Sequence, residues 1–453
     1  MLEAMTYPTI IPPYLLNQLA SASASAAGTL RHDQELRARR SERLTARPTA
    51  GPQRSSGGAR TVHDAQNGTT LPGKPVRREG DPATSDDAVN EAYDGLGATR
   101  DYFRKVHARD SIDGEGMALL GTVHYGQDYD NAFWDGHQMV FGDGDGTYFE
   151  RFTRSLDVIA HELTHGVTEA TAALVYQGQS GALNESVSDV FGSLVKQYAQ
   201  RQPVDQADWL IGADLLSAKV KGRALRDMLH PGTAYDDPRL GKDPQPDHMT
   251  RFVETDEDNG GVHLNSGIPN RAFAVAATTV GGKAWETVGP VWYDVLTGDR
   301  IQARCDFATF ARLTHEAATA RYGAEHAVTL AVAEGWGAVG IEVGGAEPVP
   351  DPEGAGAPAE PSAPGSTTIT IRRTGGVAGT VREATVDLAD LPTSVAQELT
   401  RYLQQAQTSA EPAPGHPDAF SYRLTYHPDG PDLRVGEHSL PETVRQLISD
   451  ALS

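Results

Sequence analysis

Two histidines four residues apart, in His161-Glu162-Leu163-Thr164-His165, constrain this chain more than any other feature. On a helix, positions i and i+4 lie one turn apart at about 6 Å, so both imidazoles can reach one tetrahedral ion. Glu162 projects beside them, where a carboxylate can take a proton from a water that the metal activates. Val158, Ile159, Leu163 and Val167 give the same helix an apolar back. The pentapeptide alone is also compatible with a surface helix that happens to carry two histidines, and the next helical pattern decides against that. It holds Leu183-Asn184-Glu185-Ser186-Val187-Ser188-Asp189. Glu185, set among Leu183, Val187 and Val190, reads as a third ligand rather than a solvated charge, completing a His₂Glu set with one open position. Asp189, one turn on and on the same face, suits the acceptor that fixes a ligand imidazole's tautomer.

Composition bounds what can surround such a site. A chain of 453 residues has length for about three domains of roughly 150 residues each. Its 39 basic and 61 acidic side chains leave a net charge of -22, which argues against nucleic acid as the main partner. The single cysteine, Cys305, excludes an internal disulfide framework and a cysteine-based zinc site. The opening MLEAMTYPTIIPPYLLNQLA has no basic n-region, and Pro12-Pro13 break its apolar run, so no classical signal peptide is read there. No stretch approaches the ~18 apolar residues that span a bilayer, so a soluble protein without a membrane partner is expected.

The chain divides by composition. Residues 1–50 are Arg-rich and lead into a polar GPQRSSGGAR bridge. Residues 60–342 carry long helical patterns and nearly all the Trp and His. Residues 343–366 are a Pro/Gly/Ala/Glu tether, unable to bury a core. Residues 367–453 resume ordered patterning, with strands near Thr368–Ile371, Ala384–Leu388, Phe420–Tyr426 and Leu433–Val435. Helices are expected after Pro392 and from Pro441, giving a small ββαββα-like domain with no catalytic constellation of its own.

HELTH, GQSGALNESVSD and DNGGVHLNSGIPN, with YDNAFWDGHQMVFGDGDG upstream, make most of residues 90–340 resemble the thermolysin family of neutral metallopeptidases. The resemblance implies an α+β, two-lobed zincin, with a mixed α/β lobe over 60–190, a mainly helical lobe over 191–342, and one catalytic zinc between them. It implies a monomeric metalloendopeptidase that hydrolyses peptide bonds through zinc-activated water. Tyr176 and His263 match the family's donors to the developing oxyanion, and Asp258 matches the carboxylate that orients His263. Asn131 and Ala132 match the strand edge on which substrate backbone pairs, and Arg226 the arginine that grips a substrate carbonyl. Phe149, Phe152, Val158, Ile211, Leu215 and Leu225 map onto the pocket for the residue after the scissile bond, implying cleavage before bulky hydrophobic side chains.

Calcium is where the pattern departs. Of the family's double-site carboxylates Asp157 and Asp208 remain, but Lys196, Leu210 and Ala213 replace others, and Arg223 stands where a further calcium-binding Asp is expected. An ammonium in an oxygen cage repels the cation, so calcium sites are expected to be lost, with Lys196 pairing Asp157. Asp143-Gly144-Asp145-Gly146 reads as a turn. Ile10-Ile11-Pro12-Pro13-Tyr14-Leu15-Leu16 resembles the protealysin branch, whose short prosegment is a removable inhibitor, implying maturation near RSSGGAR. Residues 1–60 hold eight arginines against four carboxylates, a net +4 facing -26 elsewhere, so prosegment and catalytic region attract weakly. The terminal domain resembles emfourin, a small inhibitor of such enzymes, through IRRTGGVAGT; a tethered inhibitor contacting the cleft through Thr374–Gly379 is implied. Two alternatives make different predictions. A non-enzymatic scaffold on a protease fold predicts an eroded site, and a zinc aminopeptidase predicts one residue fewer between second His and Glu plus a Gly-x-Met-Glu-Asn motif, absent here. Family habit favours leaderless secretion; the missing leader alone favours the cytoplasm.

Overall fold

Five short strands between residues 60 and 141 pair into one mixed sheet. The computed structural model describes residues 8–43 and 58–343, and four strands between 368 and 436. The described residues fall into two compact units, 8–343 and the four strands between 368 and 436.

The first unit opens with α1 (Pro13–Ala20) and α2 (Ala24–Arg43). Proline at the first helical position starts α1 without losing a hydrogen bond, and Leu15, Leu16 and Leu19 bury its inner face. The sheet follows: β1 (Arg60–Asp64), β2 (Lys74–Arg78), α3 (Asp87–His107), β3 (Leu119–Val123), β4 (Ala132–Trp134) and β5 (Met139–Phe141). Its spatial order is β2-β1-β3-β5-β4, so β4 lies at an edge. The Asp86 carboxylate caps α3 by accepting from the Ala88 and Val89 amides.

Helices α4 (Leu156–Glu169) and α5 (Gly178–Gln200) carry the expected ligands. Residues 180–197 of α5 are buried throughout, which makes it a core helix that passes from one expected lobe into the other. A Cβ on Gly192 would lie 2.6 Å from the Asp157 carbonyl oxygen, so glycine there lets α4 and α5 approach closely. Short strand pairs β6 (Leu210–Ile211) with β7 (Arg226–Asp227) and β8 (Asp236–Asp237) with β9 (Gly241–Lys242) follow. Helices α6 (Asp258–Asn265), α7 (Gly267–Val280), α8 (Val288–Thr297), α9 (Phe307–Tyr322) and α10 (Ala327–Gly337) complete the unit. Trp292 of α8 and Trp336 of α10 stack in their midst, and the Trp336 indole N–H donates to Thr314. The architecture is α+β, a mixed sheet followed by a helical half, as expected.

In the second unit, β10 (Thr368–Gly375), β11 (Arg382–Asp387), β12 (Phe420–His427) and β13 (Asp432–Gly436) form an antiparallel sheet in the order β11-β10-β12-β13. All four strands read from alternation are present. Thr374 and Gly375 continue β10, opposite Ser421 and Phe420. The expected tether, the bridge over 51–57 and the two terminal helices lie outside the described residues. Among the described residues, no helix is long and apolar enough to cross a membrane.

Candidate metal centre and substrate cleft

The tight α4–α5 contact gathers the three expected ligands. His161 Nε2 lies 3.1 Å from His165 Nε2, and each is 3.5 Å from a Glu185 carboxylate oxygen. All three side chains are buried. The far ring nitrogens are occupied: His161 Nδ1 sits 2.8 Å from Asp189 Oδ1, and His165 Nδ1 2.8 Å from Asn184 Oδ1. Those acceptors place the protons on Nδ1, so both Nε2 lone pairs converge on one point. Lone pairs that close repel unless a cation lies between them, and Glu185 Oε2 has no hydrogen-bond partner. Two imidazoles and a carboxylate form a donor set that fits zinc.

Glu162 is fully buried beside them. Its Oε2 accepts from the Trp134 amide at 3.1 Å, and its Oε1 has no partner. Burial, with Glu185 close by, raises its carboxyl well above the ordinary value despite His161, which suits a group that both takes and returns a proton. His263 stands across the site on α6. The preceding Asp258, Asn259, Gly260 and Gly261 all adopt positive φ, between 51° and 81°, a path open to Asp, Asn and Gly but strained for bulkier residues. That path swings Asp258 back so that Oδ1 lies 2.7 Å from His263 Nδ1 while Oδ2 accepts from the His263 amide. Burial works to lower the imidazole, but Asp258 and Glu185 outweigh it and raise its pKa. The Tyr176 hydroxyl donates to Glu185 Oε1 and lies 3.2 Å from His263 Nε2.

Arg226, on β7, donates through Nε and Nη2 to both Asp189 oxygens, each at 2.8 Å. Asp189 thus touches the His161 ring and the guanidinium together. Asn270 Nδ2 adds a bond to Asp189 Oδ2 at 2.8 Å. Ile211 pairs with Arg226, the Leu225 amide donates to the Ile211 carbonyl, and Glu150 N, next to Phe149, donates to the Leu215 carbonyl. Phe149 and Phe152 lie 6.1 Å apart by ring centroid. The six expected pocket residues, Val158 among them, are all buried.

Residues Thr9, Ile10 and Ile11 lie in this site. Thr9 bridges Phe133 of β4 in antiparallel sense, and the Ile10 amide donates to the Ala132 carbonyl at 3.2 Å. The Ile11 amide donates to Asn131 Oδ1, and Asn131 Nδ2 donates back to the Ile11 carbonyl. Arg226 Nη1 reaches the Ile10 carbonyl at 3.3 Å, and His263 Nε2 lies 3.1 Å from the Thr9 carbonyl oxygen. Helix α2 adds a second grip: Asp33 accepts from the Tyr129 hydroxyl and from Asn131 Nδ2, Thr29 Oγ1 accepts from the Asp130 amide, and Ser25 donates to the Asp130 carboxyl.

Sequence reasoning missed Asn184, Asn270 and this second grip. Asn184 had a signal, being adjacent to Glu185 on the helix; Asn270 and the Ser25/Thr29/Asp33 face had none, because their partners are remote in sequence. Lys196, expected to pair with Asp157, lies with its Nζ 3.0 Å from Asp157 Oδ2 and 2.8 Å from Asp208 Oδ2. Arg223 pairs with Asp227 instead. Asp145 Oδ1 accepts the amides of Thr147 and Tyr148, the expected turn.

Residues 49–169 match the family described as thermolysin metallopeptidase, catalytic domain, and residues 172–341 match its alpha-helical domain. Residues 371–452 match Emfourin. The chain is 54% identical over 341 residues to an extracellular metalloprotease of Pectobacterium carotovorum subsp. carotovorum, covering 74% of this chain and 96% of that one. It is 46% identical over 348 residues to Protease PrtS of Photorhabdus sp. (strain Az29), covering 74% and 93%. The precursor of protealysin, a metalloproteinase from Serratia proteamaculans, superposes with a TM-score of 0.67 at 50% identity, covering 74% of this chain and 99% of that one. With its His161/His165/Glu185 cluster in an α+β scaffold that matches these relatives along most of its length, this chain belongs to the thermolysin metallopeptidase family.

Proposed function

We propose that this zinc metalloendopeptidase is kept inactive by its own first residues and, once freed of them, cuts proteins before bulky hydrophobic side chains. The observation that carries the reading is Thr9–Ile11 laid along β4, with a buried isoleucine between the His263 and Arg226 contacts. His161, His165 and Glu185 would hold the zinc, which supplies Lewis-acid polarisation of a carbonyl and a lowered pKa for water. Glu162 takes the proton of the attacking water and returns it to the leaving amine. His263, oriented by Asp258, donates to the oxygen that becomes negative, and Tyr176 joins it once its hydroxyl turns from Glu185. Asn131 and Ala132 hold substrate backbone as an added strand, and Arg226 fixes the next carbonyl. Asp189 keeps His161 and Arg226 in register.

Lys196 between Asp157 and Asp208 supports a domain whose stability needs no calcium there. The Emfourin match supports residues 367–453 as a tethered inhibitor, for which a linker supplies high effective concentration. Relatives named as extracellular proteases support action outside the cell, tested by immunoblotting culture medium and cell fractions. The peptidase reading is tested with an internally quenched peptide: matured protein cleaves it, and phenanthroline or Glu162→Gln abolishes cleavage. Removing residues 367–453 should raise that activity; unchanged activity rejects the inhibitor role.

A further inference from the structure

An added strand has few registers along an edge, and this one singles out a bond. The carbonyl facing the His263 imidazole is that of Thr9, the carbonyl held by the Arg226 guanidinium is that of Ile10, and the Ile10 side chain is buried. Ile10 and Ile11 amides pair with Ala132 and Asn131 in sequence, so the register does not slip between the two ends. The peptide bond lying between oxyanion donor and carbonyl grip is therefore Thr9–Ile10. Glu162 Oε1, buried and unpartnered, belongs to the same site, its other oxygen bonded to Trp134 on the same strand.

We propose that Thr9–Ile10 is a cleavage site of the enzyme in its own chain, cut in cis while the prosegment remains docked. The proposal rests on the metalloendopeptidase reading above. Water adds to the Thr9 carbonyl carbon and gives a proton to Glu162. The C–N bond to Ile10 breaks, and Glu162 passes the proton to the Ile10 nitrogen. The products are a Met1–Thr9 peptide ending in a carboxylate and a chain that begins with the Ile10 amine. The cut leaves the rest of the grip intact: Ile11 stays paired with Asn131, Leu15, Leu16 and Leu19 stay buried, and Asp33 keeps Tyr129 and Asn131. The nicked protein is thus still inhibited, and activity requires a second break farther along.

The full chain, loaded with zinc, is followed by intact mass over time at several dilutions. The expected result is a species lacking Met1–Thr9 that forms at a rate independent of protein concentration, ahead of activity on a quenched peptide, and is absent with Glu162→Gln. A readout free of turnover uses metal-free full chain: Ile10→Asp should let a labelled leucine-containing peptide bind at least tenfold more tightly by anisotropy. If matured protein cleaves the quenched peptide while Thr9–Ile10 survives intact, the proposal is overturned and the peptidase reading stands. If neither is cleaved, both fall. Equal peptide binding by Ile10→Asp and the native chain also overturns it.

Discussion

Replacing Lys196 with methionine tests what holds α4, α5 and the following loop together. The side chain of Asp157 is 1% exposed and that of Lys196 10%, so the change strands a buried carboxylate. Removing one partner of a buried pair costs about 3–5 kcal/mol. Two bonds remain to Asp157 Oδ1, from Ser155 Oγ at 2.6 Å and the Gly212 amide at 3.3 Å, which places the loss toward the lower end. The Asp208 arm is 44% exposed and adds at most about 1 kcal/mol in water. A net loss of about 3 kcal/mol lowers the midpoint of thermal unfolding by about 4 °C for a unit of roughly 340 residues, whose unfolding entropy is about 0.7 kcal/mol/K. Burial works to lower the ammonium, but Asp157 and Asp208 outweigh it and hold its pKa above the ordinary lysine value. A raised folded value means the stabilisation is complete below about pH 10 and fades as pH rises through that raised value. Unfolding is measured by circular dichroism in a Glu162→Gln background, which prevents autolysis, with calcium or with chelator. A Lys196→Met midpoint within about 2 °C of the parent, or a parent midpoint that climbs with calcium, refutes the reasoning.

Glu162→Gln should lower kcat by about 10²–10⁴-fold, the usual worth of a general base, and should leave the precursor full-length on gels. Asp33→Ala removes the acceptor for Tyr129 and Asn131; at about 1.5–3 kcal/mol for a charged hydrogen bond, trypsin should cut the prosegment of the Glu162→Gln precursor roughly 10–100 times faster. Docking of α2 should also depend on pH. Burial, with Asp145 and Asp128 adding to it, pushes the Asp130 carboxyl up to about 7. A carboxyl raised in the docked state carries no penalty below its free value and a full one above the raised value, so docking weakens from about pH 4 to above pH 7. Asp130→Asn should flatten that trypsin-sensitivity profile. Quenched peptides with Ile, Leu or Phe after the scissile bond should exceed the Ala peptide in kcat/KM by about 10–100-fold, the worth of burying about 1.5–3 kcal/mol of apolar side chain; a flat series removes the pocket assignment.

The terminal sheet and the ligand set were legible because both rest on local periodicity. Alternation of period two marks strands such as Thr368–Ile371, and spacing of four marks one helical face. The cleft's occupant was legible only as a motif. That Thr9, and not Ile11, meets His263 depends on a hydrogen bond between residues 254 positions apart, and no local pattern encodes such a register. Asn270 is legible in neither way: it is an ordinary polar position on α7 until Asp189 arrives beside it.

By itself the sequence picked out the histidine pair of the metal-ligand cluster, because helix geometry places i and i+4 together wherever the helix sits. It also set a lysine's charge at position 196, which needs no structure to be read. Only the tertiary structure decided what those residues meet. Glycine at position 192 lets two helices close until Glu185 and Asp189 flank His161, and the edge of β4 accepts the extended residues Thr9 and Ile10. Those outcomes depend on packing and on backbone hydrogen bonds between distant segments, whose energies exist only once the chain has folded.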